Sequence, residues 1–494
     1  MSDAPDDADR SVTVADREGH AGDPVRELAL DCVVAGIEAA HPAGVVDDAL
    51  ALDGDRLTVA GVEDASTAHD DATAAYDLAA YDRVLVVGAG NAAGHFAAAV
   101  ERLLGDRIDG GAVVTDDPVE TERVAVLPGD HPTPSETGVE SARRVRALTA
   151  DAGADDLVIG LLTGGGSALL AAPADGIGLD GLRETTEALL ASGATIDEIN
   201  AVRKHLSAVK GGRLARAAAP ADVLGLAISD VTGDDPAVIA SGPLSPDPTT
   251  YADANAVLDR YGVDTPDAVT ARLDRGAAGE VAETPETGDP AFDGVGVRIV
   301  ASARTALNAA REVAAARGYD PLVLSSRVRG EAREAAKTHA AVAEECRAAG
   351  DPVAPPAVLL SAGEVTVTLG ADPGEGGPNG EFALSAAAEL DASGRDSEGI
   401  AVASVDTDGI DGATDAAGAL IDDRLVGDGP EATLSRDAAA AALDEHDAYP
   451  LLDGADALVR TGPTGTNVND LRAVVVGGRV AGSEASGSRS EGTK

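Results

Sequence analysis

The chain has 494 residues, of which 86 are Asp or Glu and 37 Lys or Arg, giving a formal charge of −49; 44 % of the residues are apolar and 2 % aromatic. That charge excludes nucleic acid and anionic membrane as partners, since both are bound through basic patches, whereas the apolar share is enough for sizeable cores in two domains. Self-repulsion in so acidic a protein is screened only at high ionic strength. The composition therefore predicts a halophilic, cytoplasmic protein. No apolar run reaches about 18 residues, no basic, apolar leader opens the chain, and Cys32 and Cys346 lie far apart, as expected of reduced thiols.

Residues 1–24, acidic and without an apolar period, are expected to form a disordered lead-in. Residues 25–263 read as a first domain. Val25, Leu28, Leu30, Val33, Val34 and Ile37 have helical spacing. Residues 83–87 form a strand that runs through Gly88, Gly90 and Asn91 into a helix ending near 104, the opening of a βαβ unit. The glycine spacing is GxGxxxG, not the dinucleotide fingerprint GxGxxG. A second buried strand, 157–162, runs into Thr163, Gly164, Gly165, Gly166 and Ser167. Consecutive glycines let a backbone turn its N–H groups around a phosphate or carboxylate; a plain strand-to-helix turn is the alternative. Residues 200–213 gather Arg203, Lys204, His205, Lys210 and Arg213 in a chain with only four lysines. A solvated helix face is the bland explanation, but a cationic cluster kept in so acidic a chain implies that it faces an anion. The strand 223–228 ends at Asp230, where open α/β sheets place ligand groups. Asp230 is a candidate base or Mg²⁺ ligand, or the cap of the next loop.

Residues 264–294, mixed in Thr, Pro, Gly, Asp and Glu, are expected to be a linker or insertion. Residues 295–482 resume the strand–helix rhythm as a second domain, with strands near 297–300, 321–324 and 400–405 and a strand–turn–strand over 358–367. A second glycine loop at 374–381 opens a helix. Asp406, Asp408 and Asp411 at a strand end make a candidate divalent-cation site, although the EF-hand pattern fails because its terminal Glu is missing. Thr461, Thr464, Thr466 and Asn467 form a loop suited to holding an oxyanion, and residues 483–494 read as a flexible tail. Strands alternating with helices throughout predict an α/β fold of two three-layer domains with mostly parallel sheets.

Taken together, the motifs at 163–170, 202–207, 210–213, 229–234, 407–412 and 461–470 resemble the glycerate 2-kinase family, whose C-terminal domain is called MOFRL, and they follow that family's order over roughly residues 25–480. The resemblance implies ATP-dependent phosphorylation of D-glycerate to 2-phosphoglycerate, assisted by Mg²⁺, in a cleft between the two domains. It also implies that the label of hydroxypyruvate reductase on such sequences is a misassignment. The family carries a catalytic Lys where this chain has Asn91, and many members carry a catalytic Arg where it has Pro378. With those two charges gone, Arg203 and Lys204 become the expected catalytic cations, alongside Asp230. An NAD(P)H-dependent reductase and an inactive or substrate-shifted paralogue are the rival readings. From the charge alone, activity is expected to rise with KCl from dilute buffer to molar salt; assays across that range check it, and full activity in dilute buffer contradicts it.

Overall fold

The computed structural model describes residues 10–20, 22–62, 73–370, 373–393, 397–430 and 432–478. Its strands are β1 (Leu50–Asp53), β2 (Arg56–Val59), β3 (Ala74–Asp77), β4 (Arg83–Ala89), β5 (Gly110–Thr115), β6 (Val124–Pro128), β7 (Asp156–Leu162), β8 (Asp222–Ile228), β9 (Val295–Ala301), β10 (Asp320–Glu331), β11 (Ala357–Thr366), β12 (Ile400–Asp406), β13 (Gly418–Asp422), β14 (Leu458–Val459) and β15 (Asp470–Val476).

The first sheet has the order β6-β5-β4-β7-β8-β9 and is parallel throughout. Continuous apolar runs such as Val84–Val87 are what a sheet covered on both faces requires. Alternate residues divide between the faces. Val84, Val86 and Ile159 pack with Phe96 of the helix Ala93–Leu104, while Leu85, Val87 and Val158 pack with Val145 of Glu136–Ala150 and Leu214 of Arg213–Ala218. The strand order reverses at β4 and β7, so the loops at their carboxyl ends line the crevice where open sheets bind ligands.

The second sheet, β10-β11-β15-β12-β13-β14, is also the middle of three layers. Its pairing is mixed: β10 and β11 are parallel, but β15 lies antiparallel between β11 and β12, and β13 and β14 continue antiparallel. The last strand of the chain fills the centre of the sheet, a pairing that no local signal announces. The carboxyl ends of β10, β11 and β12 nevertheless lie along one edge. The strand expected to turn back within 358–367 is instead one strand, bent at Gly363 (φ +131°). A small antiparallel sheet, β1-β2-β3, was not anticipated.

The domain boundaries also change. The helix Pro24–Ala40 starts on an Asp23 cap that accepts from the Val25 N–H at 3.0 Å, with Pro24 at the first helical position. Expected in the first domain, it packs instead on the second sheet: a Cβ added at Gly36 would lie 2.3 Å from Leu471 Cδ2 of β15 and 3.0 Å from the Ala306 carbonyl. Conversely, β9 joins the first sheet, and the expected linker contains the helix Asp267–Ala277, whose Leu273 packs with Tyr251. The chain passes to the second sheet through the helix Ala303–Ala316. One core runs through Val86, Ile159 and Leu224 of the first sheet, Val33, Ile37 and Leu307 of the two helices, and Leu360, Ala403, Leu471 and Val475 of the second.

The lead-in is ordered where it is described: Val14 is buried and the Ala15 N–H donates to the Arg460 carbonyl at 2.8 Å. Residues 1–9 of that segment and the expected tail lie outside the described residues. Among the described residues no single helix is long and apolar enough to cross a membrane.

Replacing Gly36 by Val overfills the contact between Pro24–Ala40, Ala306 and Leu471. A loss of about 1–3 kcal/mol in unfolding free energy is expected, read as a lowered midpoint in thermal or urea unfolding.

Candidate active site

Three neighbouring strands of the first sheet bring three loops together. Gly90 has φ +145°, and a Cβ there would stand 2.0 Å from Thr163 Oγ1; Gly165 has φ +73°, and a Cβ there would stand 2.0 Å from Asn91 Oδ1. Only glycine permits both the backbone conformation and the contact. Between them the Asn91 N–H donates to the Gly164 carbonyl at 2.8 Å, and Asn91 Nδ2 donates to both Asp116 oxygens at 2.9 Å. Asn91 therefore braces the loops. Gly88 and Gly166 flank the same junction.

Asp230, at the end of β8, leans on this junction, where a Cβ at Gly164 would meet its Oδ2 at 2.8 Å. Burial pushes its carboxyl up to about 6, opposed by the Gly165 N–H, which donates to it. The loop 163–167 thus already holds an anion, the Asp230 side chain, and its first service is to position that carboxylate.

Arg203 and Lys204 were expected to act together, and the structure separates them. The helix Ile196–His205 starts on a Thr195–Glu198 capping box, and consecutive helical residues point in different directions. Lys204 is buried and its Nζ pairs with Asp247 Oδ1 at 3.3 Å. Asp247 Oδ1 also accepts the Thr249 N–H and hydroxyl, so the pair is structural. Arg203 instead lines a recess with Ser167, Pro134, Arg183 and Lys210. Lys210, expected only as part of a cationic cluster facing an anion, is 2 % exposed and donates from Nζ to the Ser167 carbonyl at 2.8 Å. Its scarcity in a lysine-poor chain was the available signal.

The second sheet presents its own edge. Asp411 accepts the N–H groups of Asn379 (2.8 Å) and Gly380 (2.7 Å), closing the start of the helix Pro378–Ser393. Asp411 thus caps this helix, and among the described residues it is not gathered with Asp406 and Asp408 into a group able to hold a metal. Asp406 and Asp408 are half-buried at the strand end, pushed up by desolvation and by neighbouring acids, Asp470 among them. Among the described residues no group of three or more His, Cys, Asp or Glu is arranged to hold a metal unaided. The expected oxyanion loop is corrected as well, because its donors are used internally. Thr461 donates to the Gly462 carbonyl at 2.8 Å, Thr464 to that of Thr407 and Thr466 to that of Ala40, both at 2.6 Å. Asn467 Nδ2 reaches Asp408 Oδ2 at 3.4 Å.

The two edges face each other. A Cβ on Gly233 would stand 3.9 Å from Arg327 Nη1 of β10, and one on Gly465 would be 3.1 Å from the rings of both His41 and His95. Glu364 at the end of β11 is pushed up by desolvation and by Asp470 and Asp230. Glu364, Arg327 and Asp470 were missed because strand order, not local sequence, puts them there.

Residues 28–274 match the domain of unknown function DUF4147, and residues 357–470 match the MOFRL family. The chain is 36 % identical to a glycerate 2-kinase of Pyrococcus horikoshii, over 92 % of its own length and 97 % of that protein's. The chain belongs to the glycerate kinase family. A crystal structure of glycerate kinase from Thermotoga maritima superposes on this family member with a TM-score of 0.76 at 35 % identity, covering 91 % of this chain and 99 % of that one. An Agrobacterium vitis protein with the provisional name hydroxypyruvate reductase is 47 % identical over 80 % of this chain and 87 % of its own.

Replacing Lys204 by Met leaves Asp247 buried without its counter-ion, and Asp247 Oδ2 already lacks a partner. A loss of about 3–5 kcal/mol in stability is expected, measured by denaturant unfolding, with the KM of the folded enzyme for each substrate little changed.

Proposed function

We propose that this chain transfers the γ-phosphoryl group of ATP to the 2-hydroxyl of D-glycerate, giving 2-phosphoglycerate and ADP, in the cleft between the two sheets. The observation that carries the reading is the junction of strand-end loops. It holds a carboxylate of raised proton affinity, Asp230, beside a recess lined by Arg203 and Lys210, in a chain whose relatives along nearly its whole length are named glycerate kinases. Phosphoryl transfer depends on positioning and on neutralising charge rather than on covalent chemistry by the protein; the rigid loops around Asp230 serve the positioning, and the cations of the recess suit an anionic substrate group.

Asp230 accepts the proton of the attacking hydroxyl. A base with a pKa near 6 is unprotonated at neutral pH yet still basic enough to help. Asp406 and Asp408 fit a divalent cation: they are two desolvated carboxylates whose mutual repulsion a cation relieves, and Mg²⁺ takes most of its ligands from water and phosphate rather than from a protein cage. When bound with ATP, Mg²⁺ neutralises the phosphate oxygens. Asn91 and Pro378 stand where the resemblance puts the family's cations, and Arg327 of β10, facing Gly233 from the second sheet, is a positive group on the other side of the cleft.

The reductase reading loses its main support in the first glycine loop. A dinucleotide pyrophosphate needs the loop amides, but the Gly90 N–H donates to the Val114 carbonyl at 3.1 Å and the Asn91 N–H to that of Gly164.

A coupled assay with ATP and D-glycerate in molar KCl is expected to yield 2-phosphoglycerate; NADH-dependent consumption of hydroxypyruvate at catalytic rates would favour the reductase. Replacing Asp230 by Asn is expected to lower kcat about 10²- to 10⁴-fold. Because the active form is the carboxylate and its pKa is raised to about 6, kcat/KM is expected to fall as pH drops through 6, and the Asn variant to lose that acid limb.

A further inference from the structure

The recess beside Ser167 has a property that the phosphoryl-transfer chemistry does not use. It is small, about 70 Å³, and is walled by Pro132 and Pro134, Leu182 and Thr186, and Ser167, with Arg183, Arg203 and Lys210 as its cations and Glu187 as its one acid. Arg183 is committed: its Nε donates to the Pro134 carbonyl at 2.6 Å and its Nη1 lies 3.8 Å from Asp180. Lys210 Nζ has only backbone carbonyls as partners, Ser167 at 2.8 Å and Leu170 at 3.5 Å. Arg203 has neither an ion pair nor a hydrogen bond among the described residues. Desolvation lowers the proton affinity of both, and the nearby Arg203 charge lowers that of Lys210 further.

Two adjacent cations withdrawn from water without a carboxylate partner are costly. The cost is the less expected here because acids outnumber basic residues by 86 to 37, so that a counter-ion would be easy to supply. Lys204, one residue along, has such a partner in Asp247. The missing partner of Arg203 is therefore an anion that comes and goes. The recess, about 70 Å³, suits a compact anionic group such as a carboxylate.

We infer that the Arg203–Lys210 recess binds the carboxylate of the acceptor substrate and makes the enzyme select hydroxy acids over neutral polyols. The assignment rests on the kinase reading of the cleft. Arg203 holds the carboxylate directly. Lys210 fixes the Ser167 carbonyl, and with it the loop that carries Asp230 on its other glycines, so carboxylate recognition and the basic group share one rigid support.

Lys210 is buried, and its variants test folding as much as binding; Arg203, half-buried and unpaired, gives the readable change. Replacing Arg203 by Gln is expected to raise the KM for D-glycerate about 10- to 100-fold, the worth of one charge-assisted hydrogen bond, leaving the KM for ATP within about twofold. Replacing it by Lys is expected to restore most of the loss. A rise in the ATP KM instead, or no change in either, overturns the inference. D-glycerate binding to the full chain, followed by thermal stabilisation, separates this inference from the kinase reading. Protection of the wild type but not of Arg203→Gln supports the recess even if no phosphoryl transfer is detected, and equal protection of both overturns it.

Discussion

The packing of two helices between two sheets is the constraint on which the site depends. Pro24–Ala40 and Ala303–Ala316 lie in one apolar core shared by both sheets, and this fixes the strand-end loops of one sheet opposite those of the other. The same helix carries the contact outward: the Ala40 carbonyl takes the Thr466 hydroxyl, and His41 stacks edge-on against His95, 5.5 Å between ring centres, beneath Gly465. Of the hydroxyls in the expected oxyanion loop, that of Thr466 thus fastens the cleft, while those of Thr461 and Thr464 bond within the second domain.

Within that frame the buried charges follow one logic. The exterior is overwhelmingly acidic, and most cations found inside are matched. Lys204 faces Asp247, Arg333 faces Glu381, and Arg472, in the middle of β15, reaches Asp470 at 2.5 Å while lying 4.8 Å from the Phe382 ring centre. The acids at the cleft are not matched in this way. Asp230 and Asp406, both half-buried, have raised proton affinity, and loss of solvent is the largest cause for each. Unmatched carboxylates on one side and an unmatched arginine on the other are costly to a fold, and they persist where a substrate or cation completes them.

How much of this the sequence disclosed follows from the range of the interactions. The strands β4, β7 and β8 of the first sheet were legible because burial on both faces writes itself as a continuous apolar run, and Asp230 and the loop 163–167 stood out because they end such runs. The insertion of β15 between β11 and β12, the move of Pro24–Ala40 onto the second sheet and the place of β9 in the first were not, because each is a choice among distant partners. Lys204 was misread for a different reason. Its neighbour Arg203 shares its charge but not its direction, and charge runs in a sequence carry no angle.

The same distinction bears on the two missing family cations. Asn91 is not an empty place where a lysine used to be: its amide grips Asp116, its N–H grips Gly164, and its oxygen lies against Gly165. A long cationic side chain there could not make this brace, and the brace is what sets Gly164 and Gly165 against Asp230. At the second position Pro378 begins a helix whose next two N–H groups are held by Asp411, so that end is closed to an incoming phosphate. Where the resemblance places two mobile charges, this chain has rigid loops. Positive charge for the phosphoryl group is then left to groups outside these loops: Arg327 of β10, which faces Gly233, and the cation proposed for Asp406 and Asp408. Positioning and charge neutralisation are separable demands of phosphoryl transfer, and this protein meets the first with backbone and the second from outside the glycine loops.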